Sequence, residues 1–208
     1  MTPSLPDITD APATRAALVA ALERVHRESV VYWQSFPTPA FFAPLGTAWA
    51  PADHVRHLTK SMRAVTAGLR WPRPVIRLAF GQPRRASRAY DVLRADYRAA
   101  LARGGQAGKY APTPVAITPE RSADDARSRI MAYHATAVDA LRAAAERWSD
   151  AALDRYQLPH PLLGPLTIRE MLAFTLYHNV HHVHVAERRR REAAEVAAKP
   201  IPLRRTPG

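Results

Sequence analysis

The stretch from Thr167 to about Ala198 constrains this chain more than any other. Thr167-Ile168-Arg169-Glu170 carries the capping-box pattern. In that pattern a threonine and a glutamate three residues later satisfy each other's backbone N–H groups at a helix start. Leu166 and Met171 stand where a hydrophobic staple would place them. The helix opened there is predicted to run through Leu172, Leu176 and His178-Asn179-Val180-His181-His182, ending in the polar run Arg188 to Arg191. Residues four apart lie one above the other on a helix face, so His178 and His182 can aim two imidazoles at one point.

The rest of the chain supplies helices for this one to pack against. Ala13 to Trp33 is predicted as a first helix, with Leu18, Leu22 and Val25 near the helical period, and Phe36-Pro37-Thr38-Pro39 ends it. Phe41, Phe42 and Leu45 read as an apolar loop over the bundle's end. A second helix starts at Trp49-Ala50-Pro51-Ala52-Asp53, where proline suits the first turn and Asp53 complements the dipole. Val55, Leu58, Met62, Val65 and Leu69 form its buried stripe, and Trp71-Pro72-Arg73-Pro74 breaks it. Between Val75 and Gly108 lie a short apolar piece and a helical stretch, Ala86 to Leu101. Tyr110 to Pro119, with three prolines, reads as an extended linker. A third long helix spans about Ser122 to Trp148, with Ile130, Tyr133, Ala137, Leu141 and Ala144 on its inner face. Leu158 to Pro165 reads as a turn-rich loop, and no strand pattern argues for a sheet. The expected fold class is therefore all-α, a four-helix bundle with a long crossover between helices two and three. Residues 13–198 are expected to form one domain, with 1–12 as a disordered leader and 199–208 as a disordered tail.

Composition narrows the function classes. The chain has no cysteine, which excludes disulfides, thiolate metal sites and a cysteine nucleophile. No apolar run approaches the roughly 20 residues that cross a bilayer. Met1 to Asp7 show neither a basic nor an apolar segment, so no signal peptide is expected, and a cytoplasmic location fits. The net charge of +12 comes largely from arginines spread along the chain. That spread describes solvated helix faces, and a nucleic-acid partner is not expected.

Nine histidines give the chain its chemistry. Imidazole ligates zinc, nickel, copper and iron, and three neutral imidazoles around a dication leave a position for water or substrate. The pair at 178 and 182 needs a third ligand from a facing helix. His54 and His57, three apart on helix two, are both candidates, and periodicity alone does not choose. His181 is either a donor behind the ligands or a polar residue at the bundle's edge. His184 is expected in solvent, His134 as a satisfied core group, His160 in a loop and His26 on a helix surface. Asn179 and Val180 stand where a zinc protease would carry its general base in His-Glu-x-x-His, which argues against that class. No Gly-rich phosphate loop and no Gly-x-Ser-x-Gly elbow occurs.

Three blocks together resemble a known family. Trp49-Ala50-Pro51-Ala52-Asp53-His54-Val55-Arg56-His57-Leu58 looks like the entry to the second helix of DinB/YfiT-like metalloenzymes. His160-Pro161-Leu162-Leu163-Gly164-Pro165-Leu166-Thr167-Ile168-Arg169-Glu170 resembles the loop and cap before that family's last helix. His178-Asn179-Val180-His181-His182 resembles its His-x-x-His-His signature. The resemblance implies an up-down-down-up bundle, often a homodimer, holding a divalent metal such as zinc or nickel through His57, His178 and His182. It also implies a small-molecule substrate and thiol S-transfer with a low-molecular-weight bacterial thiol as cofactor. The alternative is a non-catalytic, stress-related bundle with a structural or absent metal. The proline- and arginine-rich segment 71–119 departs from the family and is expected to shape the mouth of the pocket.

Overall fold

The computed structural model describes residues 4–8, 12–113 and 122–198. In chain order they form α1 (Arg15–Gln34), α2 (Thr38–Phe42), α3 (Pro51–Arg70), α4 (Arg73–Phe80) and α5 (Tyr90–Ala102). After these come α6 (Ala123–Glu146), α7 (Asp150–Arg155), β1 (Gln157–His160), β2 (Gly164–Thr167) and α8 (Ile168–Ala198). The four long helices α1, α3, α6 and α8 make the bundle. Both α1 and α3 pack against α6 and α8. The long crossover between the second and third of them contains α4 and α5. The expected tail, 199–208, and residues 114–119 of the expected proline linker lie outside the described residues.

Local signals set the helix starts. The Thr14 hydroxyl accepts the Ala17 N–H at 3.1 Å, and the Ser122 hydroxyl accepts that of Asp125 at 3.1 Å. At α8 the capping box closes in both directions. Thr167 Oγ1 accepts the Glu170 N–H at 3.1 Å, and Glu170 Oε2 accepts the Thr167 N–H at 2.9 Å. Leu166 and Met171 beside it are both buried. Leu18, Leu22 and Val25 from α1 meet Val55, Leu58 and Met62 from α3, Leu141 from α6 and Leu172, Leu176 and Val183 from α8. Each such burial contributes about 1.5–3 kcal/mol.

Glu170 does more than cap. Fully buried, it also accepts Arg85 Nη1 at 2.5 Å, Arg85 Nη2 at 3.0 Å, the Arg88 N–H at 2.8 Å and Arg88 Nε at 2.9 Å. Burial alone would raise its pKa, but these hydrogen bonds outweigh it and hold the carboxyl below its ordinary value. One carboxylate thus ties the α4–α5 connection to the start of α8.

Several expectations are corrected. Residues 38–42 form a helical turn where a loop was expected, because Pro39 suits a first turn and Phe41 buries itself completely. The turn-rich loop is a β-hairpin, with Leu158 opposite Leu166 and Pro159 opposite Pro165. The Ile168 N–H donates to the Tyr156 carbonyl, and alternation from that pair puts both prolines at a non-hydrogen-bonded position, where no N–H is needed. Gly164, at φ +68°, makes the turn that a side chain would strain. On α6, Tyr133 is 52% exposed beneath the Arg63 guanidinium, and His134 is the residue that faces the core. Its Nδ1 pairs with Thr59 Oγ1 at 2.9 Å, while its Nε2 is buried with no partner among the described residues. His26 is half-buried with its ring 5.4 Å from that of His134, and does not lie on the open surface. In the expected leader, Ile8 is buried and the Arg24 guanidinium donates to the Asp7 carbonyl.

Candidate metal centre

The faces of α3 and α8 that meet below the hairpin carry the histidines. His57 sits on α3, and His178 and His182 sit one turn apart on α8. All three are buried, and one ring nitrogen of each lies within 4.8 Å of the others. His57 Nε2 is 3.1 Å from His178 Nε2, which is 3.0 Å from His182 Nε2. Imidazole nitrogens bound to one divalent ion at about 2.0–2.1 Å stand roughly 3.0–3.4 Å apart, depending on the angle at the metal.

Hydrogen bonds behind the rings decide what these nitrogens can do. His57 Nδ1 lies 2.9 Å from the Tyr110 carbonyl. A carbonyl can only accept, so Nδ1 carries the proton and Nε2 presents a lone pair. His182 Nδ1 lies 2.8 Å from His54 Nδ1. With the proton on His182 Nδ1, donated to His54, the Nε2 of His182 is also a free lone pair. His178 Nε2 faces both of them, and its role follows from its tautomer: as a neutral N–H it donates to one of these neighbours, and with the proton on Nδ1 it adds a third lone pair for a cation. Burial pushes His178 and His182 well below the ordinary histidine value, and neighbouring histidines add to it. Burial also lowers His57, against the opposing pull of the Tyr110 carbonyl and with the help of Lys60. Three neutral imidazoles whose ring nitrogens converge in this way could hold a divalent ion and leave it a further coordination position.

His54 is the residue that periodicity could not settle. It is 3% exposed, packed flat against Trp33 at 6.0 Å, and burial lowers its pKa to about 3. Its Nε2 is buried with no partner among the described residues. His54 and His57 are neighbours on one helix face, each reaching a different histidine of α8, and it is His57 whose ring nitrogen converges with those of His178 and His182. The i, i+3 spacing carried that signal. Trp49 lies over His182, with rings 6.0 Å apart and 8° from parallel. His181 is half-buried, its ring 5.6 Å from Tyr97, and burial lowers its pKa to about 4. His184 is exposed, as expected, and its Nε2–H donates to the Pro6 carbonyl at 2.9 Å. His160, expected in a loop, is on β1. Its Nδ1 accepts the N–H groups of Leu162 and Leu163, and its ring sits 4.3 Å from Phe174.

The three rings form one end of a cavity of about 830 Å³. Its other walls come from α3, from the hairpin and from the 71–113 segment. A family model described as the DinB superfamily matches residues 10–186, a span that contains all three converging histidines. The chain belongs to the DinB superfamily. Searches of curated proteins and of solved structures return no match. In this DinB-superfamily bundle the matched span covers α1 to α7, the hairpin and α8 as far as Ala186. No helix among the described residues is long and apolar enough to cross a membrane.

Proposed function

We propose that this protein is a divalent-metal-dependent enzyme that transfers a small thiol to an electrophilic substrate, with His57, His178 and His182 as the metal ligands. One observation carries the proposal. Three neutral imidazoles converge at the end of a large open cavity, not in a closed knot of side chains. A structural metal site is normally filled by four protein ligands, whereas three ligands beside a cavity leave a position for an exchangeable molecule. Zinc or nickel suits three imidazoles.

A divalent ion held there would lower the pKa of a bound thiol and keep it as the thiolate. The protein's own groups orient that chemistry. The Tyr110 carbonyl fixes the tautomer of His57, and His54 stands where it accepts the His182 Nδ1 proton when His182 Nε2 binds the metal. The Trp49 ring shields His182 from water. In the transfer, the sulfur–carbon bond forms as the bond to the leaving group breaks. That group departs with the electron pair, and the thiol proton passes to solvent through the cavity mouth.

The test is elemental analysis of untagged protein, combined with a thiol-consumption assay on wild type and His57→Ala. Metal and activity should disappear together in the variant. Full activity in metal-free His57→Ala would end the proposal. Metal-dependent stability without turnover of any electrophile would favour a stress-related bundle with a structural ion.

A further inference from the structure

The lining of the cavity is more selective than a surface of this composition would be by chance. Charged residues make up 23% of the chain, yet none of the residues that line the 830 Å³ cavity is Asp, Glu, Lys or Arg. Helix α3 sorts its residues to achieve this. His57, Ser61, Ala64, Val65 and Gly68, at helical spacing, face the cavity. Arg56, Lys60 and Arg63 instead line a separate groove that α3 shares with Arg129 and Tyr133 of α6. Small residues on the cavity side create the room. A Cβ on Gly68 would come within 2.7 Å of Leu158 Cδ1, so the hairpin approaches α3 as closely as a glycine allows.

The crossover supplies a further, mainly apolar wall. Trp71 and Phe80 stack at 5.8 Å and 20°, and Tyr97 and Leu101 of α5 continue the wall. Tyr97 packs edge-on against Phe174 at 5.0 Å. The wall is thus mainly aromatic and aliphatic, and its polar side chains beyond the three converging imidazoles are neutral ones, Ser61, Gln106, His160, Thr175 and His181 among them. A charged ligand body would lose its hydration there with no counter-charge on the wall, at a cost that buried unpaired charges do not recover. An apolar body would displace water from apolar surface and gain from it.

We infer that the cavity binds an uncharged, predominantly apolar molecule bearing an aromatic or alkyl body, with its reactive atom directed at the three imidazoles. A cavity of this volume encloses a molecule of about drug size. The direction of the reactive atom rests on the metal-enzyme proposal above, whereas the class of the body rests on the wall alone.

The test uses two fluorescent probes of similar size, neutral N-phenyl-1-naphthylamine and anionic 8-anilino-1-naphthalenesulfonate. Titration in high salt screens the long-range pull of the basic surface. The neutral probe should bind with one-to-one stoichiometry and at least ten-fold more tightly than the anion. Leu101→Asp should weaken it at least ten-fold with metal content unchanged. Leu101→Trp, which fills space without adding charge, should weaken it as well and carries the test if the aspartate variant does not fold. A tighter anionic probe, or neutral binding unchanged in folded Leu101→Trp, would overturn the inference. Neutral-probe binding as expected in a protein that transfers no thiol would remove the enzymatic proposal and leave this one standing.

Discussion

His54 and His182 meet nitrogen to nitrogen, Nδ1 to Nδ1 at 2.8 Å, deep between α3 and α8. One of the two must donate, and the direction determines whether His182 offers a lone pair or a proton to the site. Removing this support should cost affinity without destroying the site. Replacing His54 with Ala is expected to weaken zinc binding by about 10–100-fold, the usual effect of losing a group that orients a ligand histidine. Competition against a chromophoric chelator reads this directly. The same titration on His57→Ala should show no stoichiometric binding, and equal affinities for the two variants would contradict the assigned roles.

Metal removal should be visible as lost stability. A ligand present at about 100 times its dissociation constant stabilises the folded state by about 2.7 kcal/mol. For a chain of this size that corresponds to a melting shift of roughly 5–10 °C. Calorimetry with and without chelator should show the shift in wild type and its absence in His57→Ala.

Acid should destabilise the protein in two stages. His134 is fully buried beside Thr59 and His26, and burial lowers its pKa to about 3 from 6.5. Between those values the unfolded chain binds the extra proton, so stability is full above pH about 6.5 and falls as the pH drops toward about 3. Glu170 acts lower on the scale. Its pKa is below the ordinary 4.5, so its contribution holds above that value and is lost as the pH falls through the folded-state pKa. Urea titrations of metal-free protein between pH 7 and 5 should show the first stage. His134→Gln should reduce that slope by at most about 1.4 kcal/mol per pH unit. An unchanged slope would mean that His134 is protonated in the folded state.

Glu170→Gln should destabilise the fold by about 2–3 kcal/mol, since it weakens charge-assisted bonds from Arg85 and Arg88 while keeping the volume. The exposed Arg85 can return to water, which keeps the loss below that of breaking a fully buried pair. Because Glu170 anchors the α4–α5 connection, the variant should also bind the neutral fluorescent probe less tightly. Loss of stability by denaturant titration without any change in probe binding would separate the two roles.

Much of the architecture was legible in the sequence because it is written in short-range chemistry. Caps act over three residues, so Ser122, Thr167 and Glu170 announced the starts of α6 and α8. The four-residue spacing of His178 and His182 announced a shared direction, since helix geometry fixes it without any partner. Composition excluded cysteine chemistry outright. What the tertiary structure decided is everything that depends on contacts between distant segments. It brought His57 and His54 against α8, left Tyr133 exposed, and paired Pro159 with Pro165 in a hairpin. It also brought Trp71, Phe80, Tyr97 and Leu101 of the 71–113 segment together as an uncharged wall of the cavity. Local spacing sets which side chains share a face, but a face has no partner until the chain packs, and only packing decides which nitrogens meet.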